Sequence, residues 1–165
     1  MKRKEESSID VIIETPKGSR NKYNWDEKDR FFRLKKILPA GAVFPFDFGF
    51  IPNTKGEDGD PIDVLVIMDE PAFPGCCLEC RIIGVLKAKQ KEKDGRVDQN
   101  DRFIGVSVLS HLYKGLTDIG SLDNNLKEEI QLFFISYNSL AGKTFTPEGW
   151  ADKEEAHKRI KKSSK

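Results

Sequence analysis

The sequence predicts an α+β domain: a small barrel or curled sheet that carries helices on its outside. Three observations carry that prediction. The first half is a series of short β-branched and aromatic runs punctuated by Pro and Gly. The second half switches to apolar residues spaced three or four apart, the period of an amphipathic helix. The chain has 165 residues, one domain's worth and enough for a proper core.

The elements follow in order. Val11 to Thr15 is β-branched and stops at Pro16. Phe44, Phe46, Phe48 and Phe50 recur at period two, which puts four rings on one face of an extended segment. Pro61 opens a run from Ile62 to Met68 that is apolar on both faces, as in a strand covered on both sides. Cys80 to Leu86 and Phe103 to Leu109 are further strands, and the polar segment between them carries an Asp94-Gly95 hairpin signal. Leu122, Leu126, Ile130, Phe133, Tyr137 and Leu140 form one helical face, with Asp123 and Asn125 available as caps. A second helix starts near Asp152, with Glu155 completing a capping box, and frays into lysines. The whole, 1–165, is a single domain with charged ends at about 1–8 and 158–165.

Composition excludes several classes. There are 28 Lys+Arg against 27 Asp+Glu, a net charge of +1, so no global field favours nucleic acid or an acidic membrane. No apolar run approaches the ~20 residues that span a bilayer, and the basic start leads into no signal-peptide core. The cysteines Cys76, Cys77 and Cys80 are odd in number; they point away from a disulfide framework and toward a reducing cytoplasm, as buried inert thiols. They have no second Cys/His pair with which to bind zinc. The phenylalanines read as barrel core rather than a stacking platform for bases.

The chemistry concentrates in "EDGDPIDVLV", Glu57 to Val66. Asp58 and Asp60 are one residue apart and project the same way from an extended backbone. Asp63 shares a strand face with Leu65 and Ile67, where an ionised carboxylate costs several kcal/mol unless a cation or several donors compensate. A hard divalent metal explains this economically, since Mg²⁺ prefers carboxylate oxygens plus water and phosphates. An EF-hand loop fails on spacing, because Ile62 and Asp63 stand where a ligand and a Gly are required. An acidic turn before a core strand, with Asp63 held by backbone donors, meets the same spacing.

"EDGDPIDVLV" resembles the D-G-D-P-x-D-V-L-V signature of the family I soluble inorganic pyrophosphatases. "VIIETPKGSRNKY", "FPFDFGFIPNT", the hairpin from Gly84 to Val106, "FFISYNSLAGK" and "PEGW" extend the resemblance over about Val11 to Ile160. It implies a five-stranded OB-like barrel with two helices outside and Mg²⁺-dependent hydrolysis of pyrophosphate by a metal-activated water, with Mn²⁺ as a substitute ion. It also implies a homo-oligomer, often a hexamer. By resemblance Asp58, Asp63 and Glu14 are metal ligands and Asp60 is the catalytic carboxylate that assists the attacking water. Lys22, Lys36, Arg102 and Tyr137 are phosphate ligands on the same ground.

The chain departs from the family's pattern at several of these places. Lys36 replaces an arginine, Arg102 a lysine, Asn24 an acid, Phe44 and Phe48 tyrosines, and Asn138 a lysine. Of two hairpin aspartates, one becomes Asn100 and the other Gln90, while Asp94, Asp98 and Asp101 are carboxylates that a shifted register could supply. The alternative readings are therefore a weakly active or inactive barrel that binds phosphate compounds, and a hydrolase of another diphosphate.

Overall fold

The computed structural model describes residues 7–165; most of the charged front end, 1–6, lies outside them. In chain order the strands are β1 (Ile9–Thr15), β2 (Asn21–Asp26), β3 (Phe31–Ile37), β4 (Asp47–Phe50), β5 (Asp63–Ile67), β6 (Cys77–Lys91), β7 (Val97–Gln99), β8 (Arg102–Ser107) and β9 (Thr144–Asp152). Helix α1 (Asn124–Leu140) precedes β9, and α2 (Lys153–Ser163) follows it.

Five strands close a ring. The order is β1-β4-β5-β8-β6, and β6 pairs back onto β1, which is the five-stranded barrel anticipated above. Closure depends on the 15-residue length of β6. Its first residues pair with β1, its middle with β8 and β9, and its end with β7. The pairing of β5 with β8 is parallel, whereas the other pairings in the ring are antiparallel.

Alternation sorts the side chains into two cores, as the strand period requires. Leu65, Ile67, Ile104 and Val106 face one cluster with Phe44, Phe46 and Phe48, covered by Ile130 and Phe134 of α1. Val64, Val66, Phe103, Val11 and Ile13 face the other, covered by Ala156 and Ile160 of α2. The barrel is thus closed at both faces by a helix. Gly84 permits this packing, because a Cβ there would lie 2.5 Å from the Ile119 side chain.

Several expectations change. Of the four period-two phenylalanines, Phe48 and Phe50 lie in β4, while Phe44 and Phe46 precede it as irregular chain. The hairpin β2–β3 and strand β9 carry no sequence signal recognised above. The first is rich in charge and largely exposed on β3; the second contains Pro147 and Gly149, and a register irregularity at Lys87/Ala88 absorbs the proline. Asp123 caps α1 by accepting from the main-chain N–H groups of Asn125 and Leu126. Asp152 caps α2 by accepting from Glu155 N–H at 3.0 Å, but Glu155 turns to Arg159 instead of closing the box. The end of the chain does not fray: α2 runs to Ser163, Ile160 is buried, and Lys165 N–H donates to Asn53 O at 3.0 Å. Among the thiols, Cys80 is buried and its pKa is pushed by burial up to about 12. Cys76 is half-buried and Cys77 is exposed, so burial holds for Cys80 alone.

Candidate active site

A cavity of about 430 Å³ opens at one end of the barrel, and most of the residues singled out by sequence line it. Glu14 comes from the end of β1, Lys22 and Asn24 from β2, Phe48 from β4, and Asp63 from the first position of β5. Gln90 of β6, Asn100 and Arg102 come from the hairpin side, and Tyr137 and Asn138 from α1. Asp58 and Asp60 reach it from the loop between β4 and β5.

That loop is pinned at both ends. Gly56 N–H donates to Asp60 O at 2.8 Å, and Gly59 turns the chain at φ +90°. Ile62 N–H donates to the buried Thr54 hydroxyl at 3.0 Å, which itself donates to Ile51 O at 2.6 Å. Asp60 N–H donates to Asp58 Oδ1 at 3.1 Å, leaving the Asp60 carboxylate exposed. Burial pushes the Asp58 carboxyl up to about 6, with Asp60 and Asp63 adding like charge.

Opposite the loop stand buried cations. The parallel register that pairs Val64 with Phe103 sets Asp63 beside Arg102, and Arg102 Nη1 donates to Asp63 Oδ2 at 2.9 Å. Burial raises the Asp63 pKa, and Arg102 and Lys22 draw it back. Lys22 is 5% exposed, with Nζ 4.7 Å from the Phe48 ring centroid and 5.9 Å from that of Phe44. The two phenylalanines therefore seat a cation against their faces. Burial lowers the Lys22 pKa, against Glu14 and Asp63, which raise it. Glu14 is itself pushed up by burial, and its Oε2 accepts from Trp25 N–H at 2.8 Å. Tyr137 is pushed by burial above the ordinary phenol range, so its hydroxyl stays a neutral donor. Lys36 stands outside the lining, with Nζ 3.9 Å from the Tyr137 ring centroid.

Of the positions where the resemblance expects other residues, Asn138, Asn100 and Gln90 have hydrogen-bond partners and the Asn24 oxygen does not. Asn138 Nδ2 donates to Phe134 O at 2.8 Å, within α1. Asn100 Nδ2 donates to Gln90 Oε1 at 3.0 Å, and both amide oxygens accept from Arg102. Asn24 Oδ1 is buried and has no partner. The three hairpin aspartates are absent from the cavity lining: Asp94 accepts from Arg96 N–H, Asp98 pairs with Arg96, and Asp101 pairs with Arg159 at 2.8 Å. The rim pair Lys143–Glu92, 3.1 Å apart, was not anticipated. It joins two segments distant in sequence, so no local pattern announces it.

No group of three or more His, Cys, Asp or Glu among the described residues is arranged to hold a metal by itself. The donors do fit a hard ion that keeps water or phosphate oxygens, for which one or two carboxylates suffice: Asp58 and Asp63 adjoin in the cavity, with Asp60 beside them. The hairpin wall offers the amides of Gln90 and Asn100, and its carboxylate, Glu92, is paired with Lys143.

Carboxylates for a hard cation facing cations for a phosphate, at the mouth of a closed barrel, define a phosphoryl-hydrolase type of site. The model of the inorganic pyrophosphatase family matches residues 11–165. The inorganic pyrophosphatase of Streptomyces coelicolor is 41% identical over 158 residues, covering 95% of this chain and 94% of its own. That of Synechocystis is 40% identical over 144 residues, covering 87% and 82%. The crystal structure of the inorganic pyrophosphatase from Thermus thermophilus matches with a TM-score of 0.87 at 34% identity, over 97% of this chain and 91% of that one. The chain belongs to the inorganic pyrophosphatase family.

Proposed function

We propose that this protein hydrolyses inorganic pyrophosphate to two phosphates with Mg²⁺, or Mn²⁺ in its place. The observation that carries the reading is the pinned loop that brings Asp58, Asp60 and Asp63 to one cavity with Lys22, Arg102 and Tyr137. Asp58 and Asp63 are the carboxylates that would hold the ion, with Glu14 across the cavity. Bound there, the ion would lower the pKa of a water and neutralise charge on phosphate oxygens. The chain's own groups do the rest. The exposed Asp60 carboxylate takes a proton from the attacking water. Lys22 and Arg102 bind phosphate oxygens by charge, and Lys36 adds positive charge behind Tyr137. The Tyr137 hydroxyl donates a hydrogen bond that strengthens as charge builds on the transferred phosphoryl group.

Phosphate release from pyrophosphate in millimolar Mg²⁺ tests this. Asp60→Asn is expected to lower the rate by roughly 10²- to 10⁴-fold, the usual loss of a general base, and Asp63→Ala to weaken Mg²⁺ dependence as well. If wild type and both variants are equally silent in Mg²⁺ and Mn²⁺, the enzyme reading fails.

A second reading has its own observation. Arg102 already occupies Asp63, and Gln90 and Asn100 are neutral, which favours a barrel that binds phosphate compounds with reduced chemistry. Retained phosphate affinity without hydrolysis would select it. Turnover of another diphosphate in preference to pyrophosphate would select the third reading, which the apolar Phe48 wall favours. Three free cysteines fit a reducing cytoplasm, and no helix among the described residues is long and apolar enough to cross a membrane. A homo-oligomer, hexameric by resemblance, completes the proposal. Exposed Leu109, Leu112, Leu132 and Leu140 provide apolar surface that such an assembly would bury.

A further inference from the structure

Asp101 stands between Asn100 and Arg102, which both line the active-site cavity, yet its own carboxylate turns away from that cavity to α2. Asp101 Oδ2 accepts from Arg159 Nη1 at 2.8 Å, and Oδ1 accepts from Gln99 Nε2 at 2.7 Å and from Ala88 N–H at 3.1 Å. The Asp101 side chain is 9% exposed, so this pair is better shielded than an ordinary surface salt bridge. Arg159 is oriented in turn by Glu155 Oε1, which accepts from its Nε at 2.8 Å one helical turn away. The helix is thus fastened to the segment that carries Asn100 and Arg102. Its last turn is fastened to the root of the acidic loop. Lys55 N–H donates to Ser163 O at 2.9 Å, Thr54 and Ser164 form an isolated antiparallel bridge, and Lys165 N–H donates to Asn53 O at 3.0 Å. Gly56, the next residue of the loop, donates its N–H to Asp60 O, so these contacts lead directly into the turn that holds Asp58 and Asp60.

The two attachments bear on different walls of the site. Ala156 and Ile160 root α2 in the core that also holds Ile62 and Phe103. Beyond that root, a second cavity of about 730 Å³ lies between α2 and the backs of both walls. It is lined by Gly56 and Asp58 of the loop, Asn100 and Asp101 of the hairpin side, and Arg159 and Ser163 of the helix. The walls are therefore tied to the helix at a few polar contacts and not by close packing along their length. We propose that α2 is a brace that sets the spacing of the acidic loop and the hairpin wall. Arg159 and the strap of residues 163–165 are its positioning elements, and they line no part of the active-site cavity. This rests on the reading above that Asp58, Asp60 and Asp63 work with Arg102 in hydrolysis. A misplacement of about 1 Å in such a constellation can cost ~10²-fold in rate, so a helix outside the cavity governs the rate inside it.

Phosphate release and amide hydrogen exchange, measured on the full chain, read this together. Arg159→Ala is expected to lower kcat by roughly 5- to 100-fold, with a melting transition close to wild type, and to speed exchange over 99–103. Arg159→Lys keeps a cation beside Asp101 and is expected to recover most of the rate. Lys165→Pro removes the N–H that donates to Asn53, and Ser164 already has the extended backbone, φ −71° and ψ 138°, that a following proline needs. It is expected to raise the Mg²⁺ concentration for half-maximal rate by roughly 2- to 10-fold, the worth of one backbone hydrogen bond, and to speed exchange over 53–62. Lys165→Ala keeps the N–H and is expected to match wild type in both. An Arg159→Ala protein with wild-type kcat and wild-type exchange overturns the brace. So does a Lys165→Pro protein that behaves as Lys165→Ala does, and this pair decides if Arg159→Ala does not fold. A wild type without hydrolysis would sink the proposed function, while exchange in these variants would still decide the brace.

Discussion

At the level of single residues, the site is a contest between burial and compensation. Asp58 has a folded pKa raised from 3.8 to about 6 by burial. Between those values the folded state holds more protons than the unfolded chain, so this group's contribution to stability falls as pH rises through that window. The ionised form that can hold a cation grows over the same range. Mn²⁺ affinity measured in the presence of phosphate should therefore climb from about pH 5 to about pH 7, and a flat profile would remove Asp58 from the ligand set. Tyr137→Phe deletes a neutral donor from the lining. Losing a hydrogen bond to a charged phosphate costs about 1.5–3 kcal/mol, or roughly 10- to 150-fold in kcat/KM, with little change in melting temperature. Phe44 and Phe48, which the resemblance matches to tyrosines, hold the Lys22 ammonium against their rings.

At the level of elements, α1 both seals one core and delivers Tyr137 to the cavity, so its packing and the chemistry are coupled. Phe134 is fully buried and lies under the Arg102 guanidinium. Phe134→Ala is expected to cost about 3–5 kcal/mol in denaturant unfolding and to loosen Arg102 as well. A loss under about 1 kcal/mol would mean that the helix is not held by this contact. This is also where the sequence was least uniformly readable. The run from Ile62 to Met68 and the period of α1 were legible because their apolar residues repeat locally and are buried on known faces. Strand β9 and the β2–β3 hairpin were not, because Pro147, Gly149 and the charged face of β3 contradict local propensity, and long-range pairing overrides them. The 158–165 end looked solvated from its lysines, yet Ile160 anchors it to the second core.

At the level of the whole molecule, barrel closure is what turns a local motif into a site. Asp58, Asp60 and Asp63 could be read from six consecutive residues. The partners of Asp63 could not, because Arg102 is 39 residues away and reaches it only through the parallel β5–β8 register. The same holds for the amide pair Gln90–Asn100, joined across the hairpin that β6 and β7 build. The resemblance matches them to carboxylates, but their use, which is to accept hydrogen bonds from a guanidinium, could not be read from the sequence. The acidic loop and the neutral amides of Gln90 and Asn100 thus face one cavity, with Arg102 held between Asp63 and the amides. The most direct test of the central claim is phosphate release from pyrophosphate by wild type after exhaustive chelation, followed by stepwise return of Mg²⁺. Expected is no release in chelator and a rate that rises with Mg²⁺; a rate indifferent to chelation, or no release at any Mg²⁺ concentration, would contradict it.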